Sequence, residues 1–342
     1  SITERKKGAS VTILGKTPSV RYDRRKCHVR CDGRKEVGRY NPFRVSLELF
    51  RADTFILGGG SLLQDRSGLL TLYYYLLLIA AARLLGAKVV LFNQGIGPIS
   101  GKVNYILTGF VLSFSHNIIA RDRDSREYFK NIIGKRFRKK IFLGADPVFY
   151  RLPGDIRRKE HTTVGKKKIA FAVREWKNFK VKEKIKETGA KLSENYSLYN
   201  IAFHSRRDTL GNSLIKEISW SEVSDIWRIL PRMDLIVGMR LHSLMCAAIC
   251  GLPAVGIIYD PKVESFCRDM GIPAIQVSEL SPENLVKLIN ENKDKDNSYK
   301  EKSLALRRRY IRSLDIIFGA GREAPPAPLR GLRTKHGISV GH

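Results

Sequence analysis

Acidic residues are scarce: 33 Asp and Glu face 62 Lys and Arg in 342 residues, a formal charge of +29 with histidine neutral. Such an imbalance says nothing about fold, but it favours phosphates, nucleic acid or an anionic membrane surface as partners. Cysteine is sparse too, at positions 27, 31, 246, 250 and 267. An odd handful of thiols in so long a chain argues against a disulfide-stapled scaffold and fits a reduced, cytoplasmic protein. Cys27 and Cys31 have no second ligand pair at zinc-finger spacing, so no metal site is expected. Long apolar runs are also lacking. The longest, Leu69 to Ala82, is interrupted by Thr71 and three tyrosines and falls short of the ~20 residues of a bilayer span; it reads as a buried helix. No charged-then-apolar leader opens the chain, so no signal peptide is expected, and no repeat recurs at solenoid period.

What is present is ordinary for a globular protein: 43% hydrophobic residues and 9% aromatic. At roughly 150 residues per domain the length suggests two domains. Short β-branched runs alternate with helical patterns, the mark of parallel βαβ units. In the first half the strands are Val11 to Leu14, Thr54 to Leu57, Val89 to Phe92, Ile118 to Ala120 and Lys140 to Leu143, with helices at Leu69 to Leu85, Val103 to Ser115 and up to Ile133. The stretch 153–168 is basic and aperiodic and reads as a linker. A second alternating set follows over 169–320. Its strands start with Ile169 to Val173, Leu198 to Phe203, Leu235 to Val237, Ala254 to Ile258 and Ala274 to Val277, and its last element is a long basic helix at about Ser298 to Phe318. Residues 321–342, with Pro325, Pro326 and Pro328, read as a disordered tail. The expected fold is therefore α/β, with two Rossmann-like domains, 1–152 and 169–320, facing across a cleft in a glycosyltransferase-B-like arrangement. Ligands of such sheets bind beyond the carboxyl ends of the strands.

Four strand ends stand out. Gly58-Gly59-Gly60-Ser61 follows one strand, with Gln64 and Asp65 behind it; glycines there either make a tight turn or let backbone N–H groups approach an anion or a sugar. Gln94-Gly95-Ile96-Gly97-Pro98 closes the next strand. Asp146 precedes Pro147 and reads first as a turn carboxylate bonded to its own backbone. Met239-Arg240-Leu241-His242-Ser243 opens an apolar helix, and an Arg at a helix N-terminus is odd unless an anion is bound there. Arg174, at the end of the second domain's first strand, is a second guanidinium of the same kind.

Taken in order with Arg121-Asp122, Ser125, Ala145-Asp146-Pro147 and Tyr259-Asp260-Pro261-Lys262-Val263, these motifs resemble the polysaccharide pyruvyltransferase family from about Asp53 to Phe266. The resemblance implies transfer of the enolpyruvyl group of phosphoenolpyruvate to a sugar, giving a cyclic pyruvate ketal and phosphate. It places the family's Arg-x-His signature on Arg240 and His242 and its further phosphoenolpyruvate-binding Arg on Arg174. It further implies an acceptor side built from Gly59, Gly60, Ser61, Gln64, Gln94 and Gly95. The family's opening strand and its glycine-rich turn into Gly-Asp-Glu-Ala are not among these residues, which start at Ser1, and the first strand of the acceptor domain is expected to be missing.

Phosphoenolpyruvate carries a phosphate and a carboxylate, which two bidentate arginines suit. Ketal formation needs an acid near the departing phosphate, for which His242 is fitted because imidazole titrates near neutral pH, and a base for the sugar hydroxyls. Asp65 is the first choice for the base, with Asp146 and Asp260 behind it. No step demands a metal or other cofactor. Acceptors in the family are envelope sugars, often on a lipid diphosphate, so basic clusters at Arg21 to Arg39, Lys130 to Lys140 and Arg157 to Lys168 either hold the protein on the inner face of the cell membrane or are simply a solvated basic surface. The alternative is a glycosyltransferase of the same architecture using a nucleotide sugar, with Glu279 as the ribose-binding carboxylate. Nucleic acid is disfavoured, because the basic clusters contain few stacking aromatics.

Overall fold

The structure, a computed structural model, describes residues 12–15, 35–38, 41–66, 68–150, 165–203, 208–220, 222–293 and 299–318. The first half holds β1 (Thr12–Gly15), β2 (Lys35–Gly38), α1 (Pro42–Phe50), β3 (Thr54–Leu57), β4 (Gly60–Leu63), α2 (Leu69–Leu84), β5 (Lys88–Ile96), α3 (Lys102–Leu112), β6 (Asn117–Ala120), α4 (Arg123–Ile132) and β7 (Ile141–Leu143). β1 and β2 form a small parallel pair, and the main sheet runs β3-β5-β6-β7 with β4 also paired to β5. Every pairing is parallel. Side chains alternate across β5: Val89 and Leu91 face a core with α2 and α4, whereas Val90 and Phe92 face the other way.

The second half holds β8 (Lys167–Ala172), α5 (Val181–Leu192), β9 (Tyr196–Ile201), β10 (Ile215–Ile218), α6 (Val223–Ile229), β11 (Leu235–Gly238), α7 (Leu241–Cys250), β12 (Ala254–Ile258), α8 (Pro261–Met270), β13 (Ala274–Gln276), α9 (Pro282–Asn292) and α10 (Tyr299–Phe318). Their sheet has the order β10-β9-β8-β11-β12-β13, all parallel. Numbered from its own first strand, that is 3-2-1-4-5-6, the doubly wound dinucleotide-fold order, whose topological switch point lies between β8 and β11. Local chemistry agrees with the element ends: Ser281 accepts from Asn284 N and Pro282 opens α9, while Gly251 and Gly271 close α7 and α8 in left-handed conformation. The last helix returns to the first domain, where Leu314 and Ile317 pack on Val90, Phe92 and Ile119.

Several expectations are corrected. The basic stretch does not run to 168, because β8 begins at Lys167; the rest of it, 153–164, lies outside the described residues, as do 321–342, Cys27, Cys31 and the clusters at Arg21 to Arg34 and Arg157 to Val164. The glycine turn leads into β4 and not directly into a helix, and β2, α1 and β10, all short, were not foreseen. α2 is not a buried helix. Leu72, Leu76 and Ile79 are buried against the sheet, but Leu70 and Leu77 are 84% and 67% exposed.

The crossing of α3 over the end of α4 depends on Gly109, where a Cβ would run into the Ile132 carbonyl oxygen. Gly109→Ala is expected to cost about 1–3 kcal/mol through overpacking, read as a lower urea midpoint at unchanged slope. An unchanged midpoint would mean that the two helices part freely.

Candidate active site

β8 and β11 are neighbours in register, with Ala172 opposite Gly238, and the chain leaves both at the switch point. Two residues further on, the chain reaches Arg174 from one strand and Arg240 from its neighbour, and Met239 N and Arg240 N both donate to Ala172 O, at 3.0 and 3.4 Å. Arg174 spreads its guanidinium over Trp176 and Tyr259, 5.3 and 5.9 Å from the ring centroids. Its Nε donates to Glu175 O at 3.4 Å. The stacking orients the remaining nitrogens without consuming them, as suits an anion anchor.

Arg240 behaves differently from the expected free fork. Nε and Nη2 donate to the two carboxylate oxygens of Asp208, at 3.0 and 2.5 Å, and Asp208 is 1% exposed. The buried carboxylate answers the question of why an Arg sits at the start of α7. No bound anion is needed to explain it, and Nη1 is the nitrogen that Asp208 leaves over. Asp208 belongs to a loop that reads from sequence only as polar, so its pairing was not visible there.

His242 lies on the first turn of α7, with its side chain 59% exposed and Nε2 3.8 Å from Asp146 Oδ2. Asp146 comes from the other half of the molecule, so this contact spans the cleft. Its Oδ1 accepts from Val148 N at 3.0 Å, which is the turn role read from the sequence; Oδ2 is the oxygen turned toward His242 and toward Arg121 Nη1, 3.9 Å away. The carboxylate thus has a structural oxygen and a cleft-facing one.

Arg121 was only a motif residue in the sequence. The structure makes it a buried cation, 8% exposed, with Nε donating to Asp122 Oδ2 at 3.2 Å. The signal was a charged pair, Arg121-Asp122, ending the apolar run Ile118 to Ala120. In the register Gly60–Gln94–Ala120, the next residues Ser61, Gly95 and Arg121 form a row. A Cβ on Gly95 would meet Ser61 Oγ at 2.5 Å and Arg121 Nη2 at 3.3 Å, so close approach explains this glycine. Ser61 Oγ, Gln94 Oε1 and Arg121 Nη2 are buried without a hydrogen-bond partner among the described residues. Buried polar atoms left in that state cost about 1–3 kcal/mol each and mark this row as a place where stability is not the first demand.

The other expected residues fall as follows. Gly59 packs on Pro147, to which a Cβ would come within 3.1 Å, so the glycine turn, with Gly60 behind it, abuts Asp146. Gln94 is wholly buried and donates to Leu57 O at 3.3 Å; its side chain holds β3 and does not line the cleft. Gln64 is half-buried beside β4. Asp65 accepts from Ser100 N and thereby ties down the turn after β5. Asp260 caps α8 through Oδ1, which accepts from Lys262 N at 2.9 Å, and pairs across the cleft with Arg66 at 2.8 Å through Oδ2, so both its oxygens are engaged. Glu279 is exposed beyond β13. Among the described residues no cluster of His, Cys, Asp or Glu has metal-binding geometry.

A cavity of about 600 Å³ opens beside the Asp146 carboxylate, lined in part by Arg121, Phe149, Met245, Lys262 and Leu306. Arg174, Arg240, His242 and Asp65 do not line it, so it shares Asp146 with the candidate site and extends away from the switch point. Burial, reinforced by the charge of Arg121, holds the Lys262 ammonium below the usual lysine range.

The family model for polysaccharide pyruvyl transferase matches residues 6–261. The chain belongs to that family. No curated protein matches it in sequence. Among solved structures, this polysaccharide pyruvyl transferase family member is similar to a UDP-N-acetylglucosamine 2-epimerase (14% identity, TM-score 0.59, 94% of this chain and 91% of that one). It is also similar to a glycosyltransferase from Rickettsia africae (13%, 0.56, 91% and 87%). A third is Anabaena HepE in complex with UDP (14%, 0.53, 80% and 80%). At these identities the likeness is one of fold, and it is the glycosyltransferase-B arrangement of two Rossmann-like domains across a cleft.

Proposed function

We propose that the protein transfers the pyruvyl group of phosphoenolpyruvate to two hydroxyls of an envelope sugar, giving a cyclic ketal and phosphate. The observation that carries this reading, beside family membership, is the pairing at the switch point: a stacked Arg174 and a partly spared Arg240 adjoin the imidazole that meets Asp146. Arg174 and Arg240 Nη1 bind the anionic groups of the donor. In balance, two C–O bonds form at C2 of the donor and its bond to the phosphate oxygen breaks. Of the two hydroxyl protons, one ends on the vinyl carbon, which becomes a methyl group, and the other on phosphate. His242 delivers the proton to the departing phosphate, and Asp146 Oδ2 holds the imidazolium in place. This makes Asp146 the partner of the acid, a role distinct from the base first expected of Asp65, whose Oδ2 accepts from Ser100 N. The sugar approaches along the Gly59-Gly60-Ser61 turn, and a lipid-diphosphate carrier for that sugar fits the basic surface.

The test is direct. Phosphoenolpyruvate is expected to bind in calorimetry, and phosphate release is expected with a panel of simple pyranosides; UDP-sugars should release no UDP. Arg174→Ala should weaken phosphoenolpyruvate binding about 10–100-fold, the worth of a charge-assisted hydrogen bond or two. UDP release together with absent phosphoenolpyruvate binding would replace this reading by the nucleotide-sugar one.

A further inference from the structure

Among the described residues, the large apolar side chains that are exposed lie, apart from Leu214, on or just beyond α1, α2 and α3. They follow helical spacing on each outer face: Phe43, Leu47 and Phe50 on the first, Leu70, Leu77 and Leu84 on the second, Val103, Ile106 and Phe110 on the third. The three helices pack side by side, and Tyr73 Oη donates to Asn104 Oδ1 at 2.6 Å between the second and third. The stripes therefore merge into one surface. Each helix also has a buried inner face toward the sheet, so these helices are apolar on both sides, a pattern that water does not favour.

Charge is nearly absent there. In a chain that is 28% charged, Arg44, Glu48, Arg83 and Lys102 are the charged residues of the three helices. Cations gather instead at one edge. Lys140 Nζ donates to Ser113 O and Ser115 O, at 2.6 and 2.5 Å, and so fastens the basic turn 135–140 to the end of α3, beside Phe114. Half-buried, Lys140 has its pKa pushed down to about 8 and is part of the fold. Lys135, Arg136, Arg138 and Lys139 remain exposed.

We infer that this face seats the protein on an anionic lipid surface, with the leucine and phenylalanine stripes entering the headgroup boundary and the four cations meeting lipid phosphates. A protein partner is less well served: interfaces carry about one hydrogen bond per 100–200 Å², whereas on α2 and α3 Tyr73 and Asn104 bond to each other and the exposed charges are Arg83 and Lys102, at the helix ends. An apolar face with a basic rim is the signature of interfacial attachment. Among the described residues no helix is long and apolar enough to cross a membrane, so the face lies on the bilayer. The inference draws on the pyruvyl-transfer reading only for its use, which is to bring the cleft to a lipid-carried acceptor.

Lipid binding is measured without donor or acceptor, so its failure and the failure of that reading are distinguishable. The full chain should co-sediment with vesicles of phosphatidylglycerol and phosphatidylcholine, and more weakly with phosphatidylcholine alone. Leu70→Gln, Leu77→Gln and Phe110→Gln together should weaken binding by about 100-fold or more, from lost apolar burial. Replacing Lys135, Arg136, Arg138 and Lys139 with Gln should weaken it about tenfold or more on the anionic vesicles only. High salt should erase that electrostatic part and leave the apolar part. Should the triple variant fail to fold, Leu77→Trp reports directly: its emission should shift to the blue on vesicle addition and be quenched by brominated lipid. Absent vesicle binding, binding unchanged by either set of replacements, or an unshifted Trp emission would overturn the proposal. So would a lipid-free dimer that the triple variant dissociates, which would make this face a contact between copies.

Discussion

His242→Ala is expected to lower kcat by about 10²–10⁴-fold while the KM for phosphoenolpyruvate changes little, because a general acid acts in the transition state and adds little to ground-state binding. Added imidazole should restore part of the lost turnover, which a merely structural histidine would not allow. Asp146→Asn tests the partner across the cleft. Its Oδ1 can still accept from Val148 N, but the charge 3.8 Å from His242 Nε2 is gone, and Arg121 loses the same neighbour. About a tenfold or larger loss of kcat is expected, with the melting temperature nearly unchanged because the turn keeps its bond. If both variants retain wild-type kcat, the cleft contact is structural and the acid lies elsewhere. If Asp65→Asn instead lowers kcat as far as His242→Ala does, the first-choice base from the sequence is restored.

Most strands, their parallel sense and the motif-bearing strand ends were legible because each rests on local pattern: β-branched runs, glycines at turns, and an Arg where a helix begins. The glycosyltransferase-B architecture followed from counting those units. What escaped notice depends on long-range contact. The partner of Arg240 lies 32 residues away in a loop without periodicity, and Asp146 meets His242 only because the two halves close on one another. Gln94 looked like a cleft residue because it precedes a glycine, yet it follows an irregularity in β5 at Asn93, whose φ is +51°, and lies wholly buried with its amide on Leu57 O. The run from Leu69 is a third case. Apolarity alone gave a helix and assumed its burial, whereas exposure depends on which neighbours cover it, and α1 and α3 extend the apolar face without hiding it.

Arg240→Ala should unfold the protein more readily before it says anything about donor binding. Removing the guanidinium leaves the Asp208 carboxylate, 1% exposed, without the two charge-assisted hydrogen bonds that satisfy both oxygens. Breaking one side of a buried pair costs about 3–5 kcal/mol, a fall in melting temperature of roughly 10 °C for a domain of this size. Asp208 cannot relax freely into water, because its carbonyl oxygen accepts from Asn200 Nδ2 at 2.9 Å on β9. The double variant Asp208→Asn with Arg240→Met removes both charges and should recover most of the lost stability, since a buried pair replaced as a unit is often close to neutral. It should not recover donor binding. Arg240 Nη1, the nitrogen that Asp208 leaves unused, is missing in the double variant, so phosphoenolpyruvate affinity should stay about tenfold or more below wild type in a protein that melts normally. A double variant with restored stability and wild-type affinity would confine Arg240 to holding Asp208 and leave Arg174 as the donor's anchor. Arg240→Ala with an unchanged melting temperature would show instead that the pair contributes little to the fold.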